Sequence, residues 1–324
     1  MAVPAVVIVS VSVGAVPVPM SDSLRVLVDH LTPFRLDPPS QTNAIVWNIR
    51  LPRTVVAMLV GMILGIAGTV LQGSLRNPIA DAQLIGLSSA GAVGGLTGFW
   101  LGYASGGPTV AIAAGAVAGV CGALCVLWLS SRVSGEPTRF ILVGVGAGLA
   151  LGALVAAASI AIHDPRIPDV AFWFFGGLGA STWEVAGALA LAGAIVAIGV
   201  MPYARRLDIL SLGHDAARHV GVNVGTTLII VLGLIGLGVG ASVGAAGSIG
   251  FVGLVAGRTA VAAVGPHHHL AIPASALAGG LMVALADVVG RIIGHGFEVP
   301  VGLVTAIIGG LYLVGLITRN RVPI

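Results

Sequence analysis

Lysine is missing altogether, and all 15 basic residues of this 324-residue chain are arginine. That excludes a lysine Schiff base and a Walker A loop, whose lysine must sit on nucleotide phosphates. The chain therefore has no P-loop of its own with which to bind ATP. Charge of either sign is also scarce, at 8% of residues against about 25% in an average soluble domain. So few charged side chains cannot cover the surface of a soluble fold of this size, which excludes a cytosolic globular protein. Cysteine occurs twice, at Cys121 and Cys125. The two lie in an apolar run with no neighbouring His or acid, and read as small buried packing residues rather than a redox or metal pair. No H-E-x-x-H, C-x-x-C or acidic cluster is present, so neither a metal site nor a cofactor is expected. The net charge of +3 is too small and too dispersed for nucleic-acid binding.

What the chain does have is apolar length. Hydrophobic residues make up 57%, and the mean hydropathy is +1.06. A membrane span needs about 20 apolar residues to cross a ~30 Å hydrocarbon core. Roughly ten such runs occur, at 2–19, 54–75, 84–104, 109–130, 140–162, 183–203, 226–248, 249–264, 271–294 and 299–318. The first reads as a span, because it lacks the basic start and clean small-residue cleavage site of a signal peptide. The stretch 226–264 is too long for one span and breaks naturally between Gly247 and Gly250. Segment 20–50 is amphipathic and proline-containing, enough for a short surface helix. Residues 163–182 form a polar-to-aromatic connection with Pro165, Pro168 and Trp173, and residues 204–225 are the most polar internal loop. Nothing reads as a soluble domain, so residues 1–324 are taken as one transmembrane domain.

The 49 glycines recur at small-xxx-small spacing, in Gly61/Gly65, Gly91/Gly95, Gly144/Gly148/Gly152 and Gly236/Gly240/Gly244. Each set lets two helix backbones approach closely, which predicts a tight bundle. With ten spans, nine arginines share the side of both termini and six face the other side. That bias places both termini in the cytoplasm of a multi-pass protein of the bacterial cytoplasmic membrane.

Several short patterns could carry chemistry. Gly240-Ala241-Ser242-Val243-Gly244 fits G-x-S-x-G, but a nucleophile elbow needs a strand-to-helix turn with His and acid partners. Here the pentapeptide sits inside an apolar helix, and the histidines fall in loops or near span ends. An intramembrane hydrolase therefore has little support. His267-His268-His269 reads as a solvated cytoplasmic loop, since consecutive residues do not converge on a metal as an i, i+4 helical pair does. Asp287 and Arg291 share one helix face and can pair, which lowers the cost of holding either near the membrane. Two readings stand for them, a structural ion pair or an outer mouth where Arg291 meets an acidic partner. A proton relay through Asp287 would make the chain a secondary transporter, with a single carboxylate to support it. Arg50 and Arg53, flanking Leu51-Pro52, are either snorkelling anchors or contacts for carboxylates of a docking protein on the outer side. The stretch from Leu207 to Val222 reads as two short helices, broken at Gly213 and stopped at Gly221. It is either a re-entrant connector or a slim helix for the groove of a cytoplasmic partner.

In that order these elements closely resemble the FecCD family, the permeases of ABC importers for ferric siderophores, haem and cobalamin. The resemblance is carried by Arg50-Leu51-Pro52-Arg53, Gly68-Thr69-Val70-Leu71-Gln72-Gly73, Arg76-Asn77-Pro78-Ile79-Ala80-Asp81 and Leu84-Ile85-Gly86-Leu87-Ser88-Ser89-Ala90-Gly91. Further matches are Phe172-Trp173 with Gly176, Leu212 to Gly221, Gly250 to Val255, Ala286-Asp287 with Arg291, and Glu298 to Gly302. It spans essentially the whole chain.

The resemblance implies an all-α polytopic bundle of about ten transmembrane helices, the type II importer permease architecture. It implies a transport subunit without catalytic residues. The partners would be cytoplasmic ATPase subunits, an external substrate-binding protein and a second permease subunit, either a copy of this chain or a paralogue. Leu212, Gly213, His214, Asp215, Ala216, Ala217, Arg218 and Gly221 would form the ATPase-coupling segment. Arg50, Arg53 and Arg291 would dock the binding protein, and Phe172, Trp173 and Gly176 would lie near the outer gate. The cargo expected from the resemblance is an iron–siderophore chelate, with haem and cobalamin as alternatives. Two departures from the family pattern stand out. Ala256-Gly257 replaces a Pro-His pair, and Gly309-Gly310 stands where a Gly-Ala-Pro is common, which could straighten the last helix.

Overall fold

The computed structural model describes residues 2–14, 16–34, 36–102, 107–131, 137–162, 170–294 and 298–318. Every regular element among them is helical. The chain begins with a short apolar helix α1 (Ala2–Ser12) and the amphipathic α2 (Met20–Leu31). Next, α3 (Ser40–Ile45), a π turn (Val46–Arg50) and α4 (Leu51–Leu75) run on as one helical rod. The rod therefore starts well before the apolar run at 54. Pro52 has no N–H for a helical bond and its ring crowds the preceding turn, so the wider π turn directly before it accommodates the proline without a break.

Then come α5 (Leu87–Gly102), α6 (Gly107–Ser131), α7 (Pro137–Ala161), the short α8 (Val170–Phe175) and α9 (Trp183–Val200). A 3-10 turn (Met201–Tyr203) leads into α10 (Ala204–Leu212) and α11 (His214–His219). The last four helices are α12 (Val224–Ala246), α13 (Val252–Val264), α14 (His268–Gly294) and α15 (Val301–Thr318). Each of the ten apolar runs thus corresponds to a helix. Six helical stretches among the described residues are long and apolar enough to cross a membrane, while α1, α13 and α15 are shorter apolar helices.

Starts and stops follow local chemistry. Thr182 caps α9 by accepting from Val185 N, and Asn223 caps α12 by accepting from Thr226 N. Gly213, Gly247 and Gly265 end α10, α12 and α13 at positive φ, where a side chain would be strained.

α4 is hydrophobic all round and is the most enclosed span, whereas α7 is the most exposed. What seats the helices is glycine. A Cβ on Gly61 would lie 2.1 Å from the Gly279 carbonyl oxygen, and one on Gly65 2.1 Å from the Ser275 carbonyl oxygen, so α4 and α14 touch backbone to backbone. Gly119 meets the Gly236 carbonyl at 2.0 Å and Gly115 the Gly240 carbonyl at 2.4 Å by the same measure, which joins α6 to α12. Gly144 and Gly148 of α7 lie against Ile85 and Gly86. Cys121 and Cys125 correct the sequence reading, since both lie on the exposed side of α6. The contact face of that helix is taken by its glycines.

Candidate functional site

The end of the bundle assigned to the outside carries Trp47, Trp183, Arg50, Arg53, Asp287 and Arg291. Trp183 Nε1 donates to the Trp47 carbonyl at 3.0 Å, and His30 of α2 stacks on Trp47 with ring centroids 3.9 Å apart. Such aromatic clusters suit the membrane interface. Beside them one charge network ties three helices, α1, α4 and α14, to the stretch just before α15. Arg53 donates through Nε to Asp287 Oδ1 at 2.9 Å, and through Nη1 to Glu298 at 2.7 Å. Arg291 Nη2 lies 3.1 Å from Asp287 Oδ2, an ion pair without the angle of a hydrogen bond. Arg291 also donates to the Ser10 and Val13 carbonyls at 2.9 and 2.8 Å. The expected Asp287–Arg291 pair is therefore present, extended by Arg53 into a triad around a carboxylate that is only 1% exposed.

Arg50 behaves differently from its neighbour. Its Nη1 donates to the Val11 and Ser12 carbonyls, both at 2.9 Å, and its Nη2 to the Val16 carbonyl. The residue is 5% exposed. A guanidinium packed this way satisfies the carbonyls left open where α1 ends.

Between α4 and α5 and between α12 and α13 the chain leaves helix, at 76–86 and at 247–251. These two irregular stretches pack on each other, as backbone away from water requires. Asp81 Oδ1 accepts from Gln83 N at 2.9 Å and Oδ2 from Leu254 N at 3.0 Å, so one buried carboxylate holds the first stretch to the start of α13. Phe251 adopts a left-handed conformation there, with φ 66. Gly309 makes room for it, because a Cβ would stand 2.3 Å from that of Phe251. Gly310 meets nothing within 4 Å, and α15 is one continuous helix through the Gly309-Gly310 departure. The Ala256-Gly257 departure likewise lets α13 approach α4. A Cβ on Gly257 would meet Gln72 Oε1 at 2.9 Å.

The expected gate residues sit beside the second stretch. Gly176, at φ 65, lies against Ala246 and Ser248, and Ser248 N donates to the Trp173 carbonyl. Trp173 is 2% exposed and stacks edge-on with Phe99 and Phe172. Next to it a cavity of about 250 Å³ is lined by Gln83, Ser88, Ser89, Ser248, Trp173 and Phe174, among others. Pro165 and Pro168 lie outside the described residues.

At the opposite end α10 and α11 meet at Gly213, φ 137, and the chain turns away at Gly221, φ 83, as the sequence predicts. Leu212 is 74% exposed. Arg218 reaches only its neighbour Asp215, at 3.1 Å, among the described contacts, and both are exposed. Ala217 is buried against the bundle. The histidine triplet is a correction. His268 is 5% exposed, not solvated. Its ring Nδ1 and backbone N both meet Asp208 Oδ1, at 2.6 and 2.8 Å. Ser242 lies inside α12, 1% exposed, and no elbow surrounds it.

A buried charge triad at one end, two irregular stretches packed together within the bundle and a two-helix projection at the other end match the pattern of motifs along the chain. Residues 2–319 match the FecCD transport family. The chain belongs to that family. It is 34% identical over 294 residues to the hemin transport system permease HmuU of Yersinia pestis, covering 87% of this chain and 86% of that protein. It is 34% identical over 334 residues to the cobalamin import permease BtuC of Halobacterium salinarum, covering 99% and 87%. With the iron(3+)-hydroxamate import permease FhuB of Bacillus subtilis it shares 31% identity over 314 residues, covering 96% and 79%. A solved metal-chelate type ABC transporter in an inward-facing conformation superposes with a TM-score of 0.81 at 26% identity, covering 98% and 96%. This FecCD protein is thus a multi-pass permease subunit of an ABC importer, a transport component that works with ATPase and binding-protein partners and is not itself an enzyme.

Sequence reasoning missed two elements of the site. Asp208 and His268 lie 60 positions apart, and no motif quoted above joins them. Arg50 carries the right residue type, but only the fold reveals that α1 uses it.

Proposed function

We propose that this permease carries an iron–siderophore chelate. The observation that supports this cargo is the cavity beside Trp173. Its named polar groups are the hydroxyls of Ser88, Ser89 and Ser248 and the amide of Gln83, with aromatic faces from Trp173 and Phe174. Set among apolar neighbours such as Leu84, Val145 and Leu149, these few polar groups suit a chelate that offers amides and hydroxyls on part of its surface and keeps its metal wrapped in its own ligands. Relatives named for iron(3+)-hydroxamate and Fe(3+)-citrate import agree with it. Relatives named for hemin and cobalamin keep those cargoes as competing outcomes.

Transport proceeds by alternating access of the outer and inner ends. Residues 212–221 seat on the ATPase, with the exposed Leu212 and Arg218 as the contact. The binding protein docks on the rim around Arg53, Arg291 and Glu298, while Arg50 supports the rim from beneath by holding α1. A second permease subunit covers the exposed face of α7 and completes the path. A proton relay at Asp287 is disfavoured, because two guanidiniums hold that carboxylate in place.

The test is ATP-driven uptake into proteoliposomes holding the permease and its ATPase, with the binding protein added outside. A ferric hydroxamate should be accumulated in preference to haem or cobalamin. Accumulation of haem or cobalamin instead would replace the cargo assignment, and uptake that continues without the ATPase would remove the importer mechanism.

A further inference from the structure

α10 ends at Leu212, directly before the Gly213 break that opens the segment read above as the ATPase contact. One turn earlier, Asp208 reaches across to the first turn of α14. Its Oδ1 accepts from the His268 backbone N at 2.8 Å and from the ring Nδ1 at 2.6 Å. The His268 ring lies on bare α4 backbone, since a Cβ on Gly73 would come within 2.1 Å of Nε2. Beyond the break, His214 Nε2 stands 3.2 Å from the Ser74 carbonyl of the same α4 turn. Side chains on both sides of Gly213 thus hold the projecting segment to one junction, where α4 and α14 begin or end.

Those two helices touch backbone to backbone. Backbone contact at Gly61–Gly279 and Gly65–Ser275 leaves no side-chain layer that could slide. At its far end the pair is closed by Arg53 and Asp287, with 2.9 Å between Arg53 Nη2 and Oδ1. A displacement delivered at His268 therefore acts on a rod that reaches the outer rim. Apolar contact can push a helix but slips when it is pulled. A short, charge-assisted hydrogen bond with its imidazole enclosed holds in both directions.

We propose that Asp208 and His268 are positioning residues for transport, the link through which movement of the coupling segment reaches the α4–α14 pair. This rests on the reading of residues 212–221 as the ATPase contact.

The test compares Asp208→Asn, His268→Leu and His268→Asn, the last retaining a side-chain amide that can donate to Asp208. Each is assembled with the ATPase in proteoliposomes supplied with loaded binding protein. ATPase copurification, basal ATP hydrolysis and cargo taken up per ATP hydrolysed are then measured. Asp208→Asn and His268→Leu should copurify and hydrolyse ATP at the parental basal rate, while uptake per ATP falls about tenfold. His268→Asn should keep most of it, and the double variant Asp208→Asn/His268→Leu should be no worse than either single change. Parental uptake per ATP in the first two, or equal loss in His268→Asn, would reduce the pair to a helix cap and overturn the proposal. Loss of ATPase copurification in Asp208→Asn would overturn it too, by making the pair part of the contact surface. Should Asp208→Asn fail to assemble, the two His268 variants carry the comparison. Gly213→Trp separates the underlying reading, because its normal copurification would sink the coupling assignment whatever Asp208 does.

Discussion

Asp287 shows how little of the scarce charge in this chain is free. It is 1% exposed and faces both Arg53 and Arg291. Removing one partner of a buried ion cluster leaves uncompensated charge, at a cost of about 3–5 kcal/mol. Asp287→Ala should therefore lower the melting temperature of the detergent-solubilised permease sharply and reduce its yield. Glu298→Gln should leave that temperature within experimental scatter, because its carboxylate is 66% exposed and its pairing with Arg53 is screened. A proton carrier would behave otherwise, with Asp287→Asn stable yet unable to transport. Asp81 makes a second residue-scale case. Asp81→Ala would strip the acceptor from Leu254 N at the start of α13, costing about 0.5–2 kcal/mol as other lost caps do. Differential scanning fluorimetry would read that loss, and hydrogen exchange should place it in α13. Protection unchanged in α13 would show that the cap contributes nothing there.

Among the elements, the small-xxx-small sets were the most legible part of the sequence. Gly61/Gly65 and Gly236/Gly240 lie where two backbones touch, because nothing larger fits between them. The apolar runs were legible for the plainer reason that a span must be long and uncharged. Less legible was the start of the helical rod that α3, the π turn and α4 form. The polar stretch 40–50 does not look like a span, yet it is helical because Arg50 finds the carbonyls at the end of α1 and so carries its charge without water. The burial of His268 was hidden for a related reason. A run of three histidines reads as solvated unless a distant carboxylate and a bare glycine are known to meet it. Glycine contacts also give a matched pair of substitutions. Gly61→Leu would drive a side chain into the Gly279 carbonyl and should prevent stable packing of α4 on α14. Gly310→Leu, with nothing within 4 Å of its Cβ position, should fold as the parent does. Equal melting temperatures for the two variants would show that close backbone approach does not hold this pair.

Across the whole molecule, the outer charge triad and the inner Asp208–His268 junction lie at opposite ends of α4, a 25-residue helix about 37 Å long at 1.5 Å per residue. Family motifs mark both ends, but the sequence could not say that α4 and α14 connect them, because all-round apolar helices carry no stripe that names a neighbour. That connection decides what a coupling variant should do. Arg218 is exposed and touches only Asp215 among the described contacts, so reversing its charge disturbs no packing within the bundle. Arg218→Glu should therefore melt with the parent while binding the ATPase more weakly, the deficit easing as salt screens the reversed charge. Arg53→Glu acts at the other end and should behave in the opposite way. It places a carboxylate beside Asp287 and Glu298, so stability and binding-protein capture should fall together. Copurification with the ATPase and pull-down with the binding protein, each run at two salt concentrations, separate the two ends. If Arg218→Glu keeps full ATPase affinity at low salt, the contact surface lies elsewhere on the cytoplasmic face.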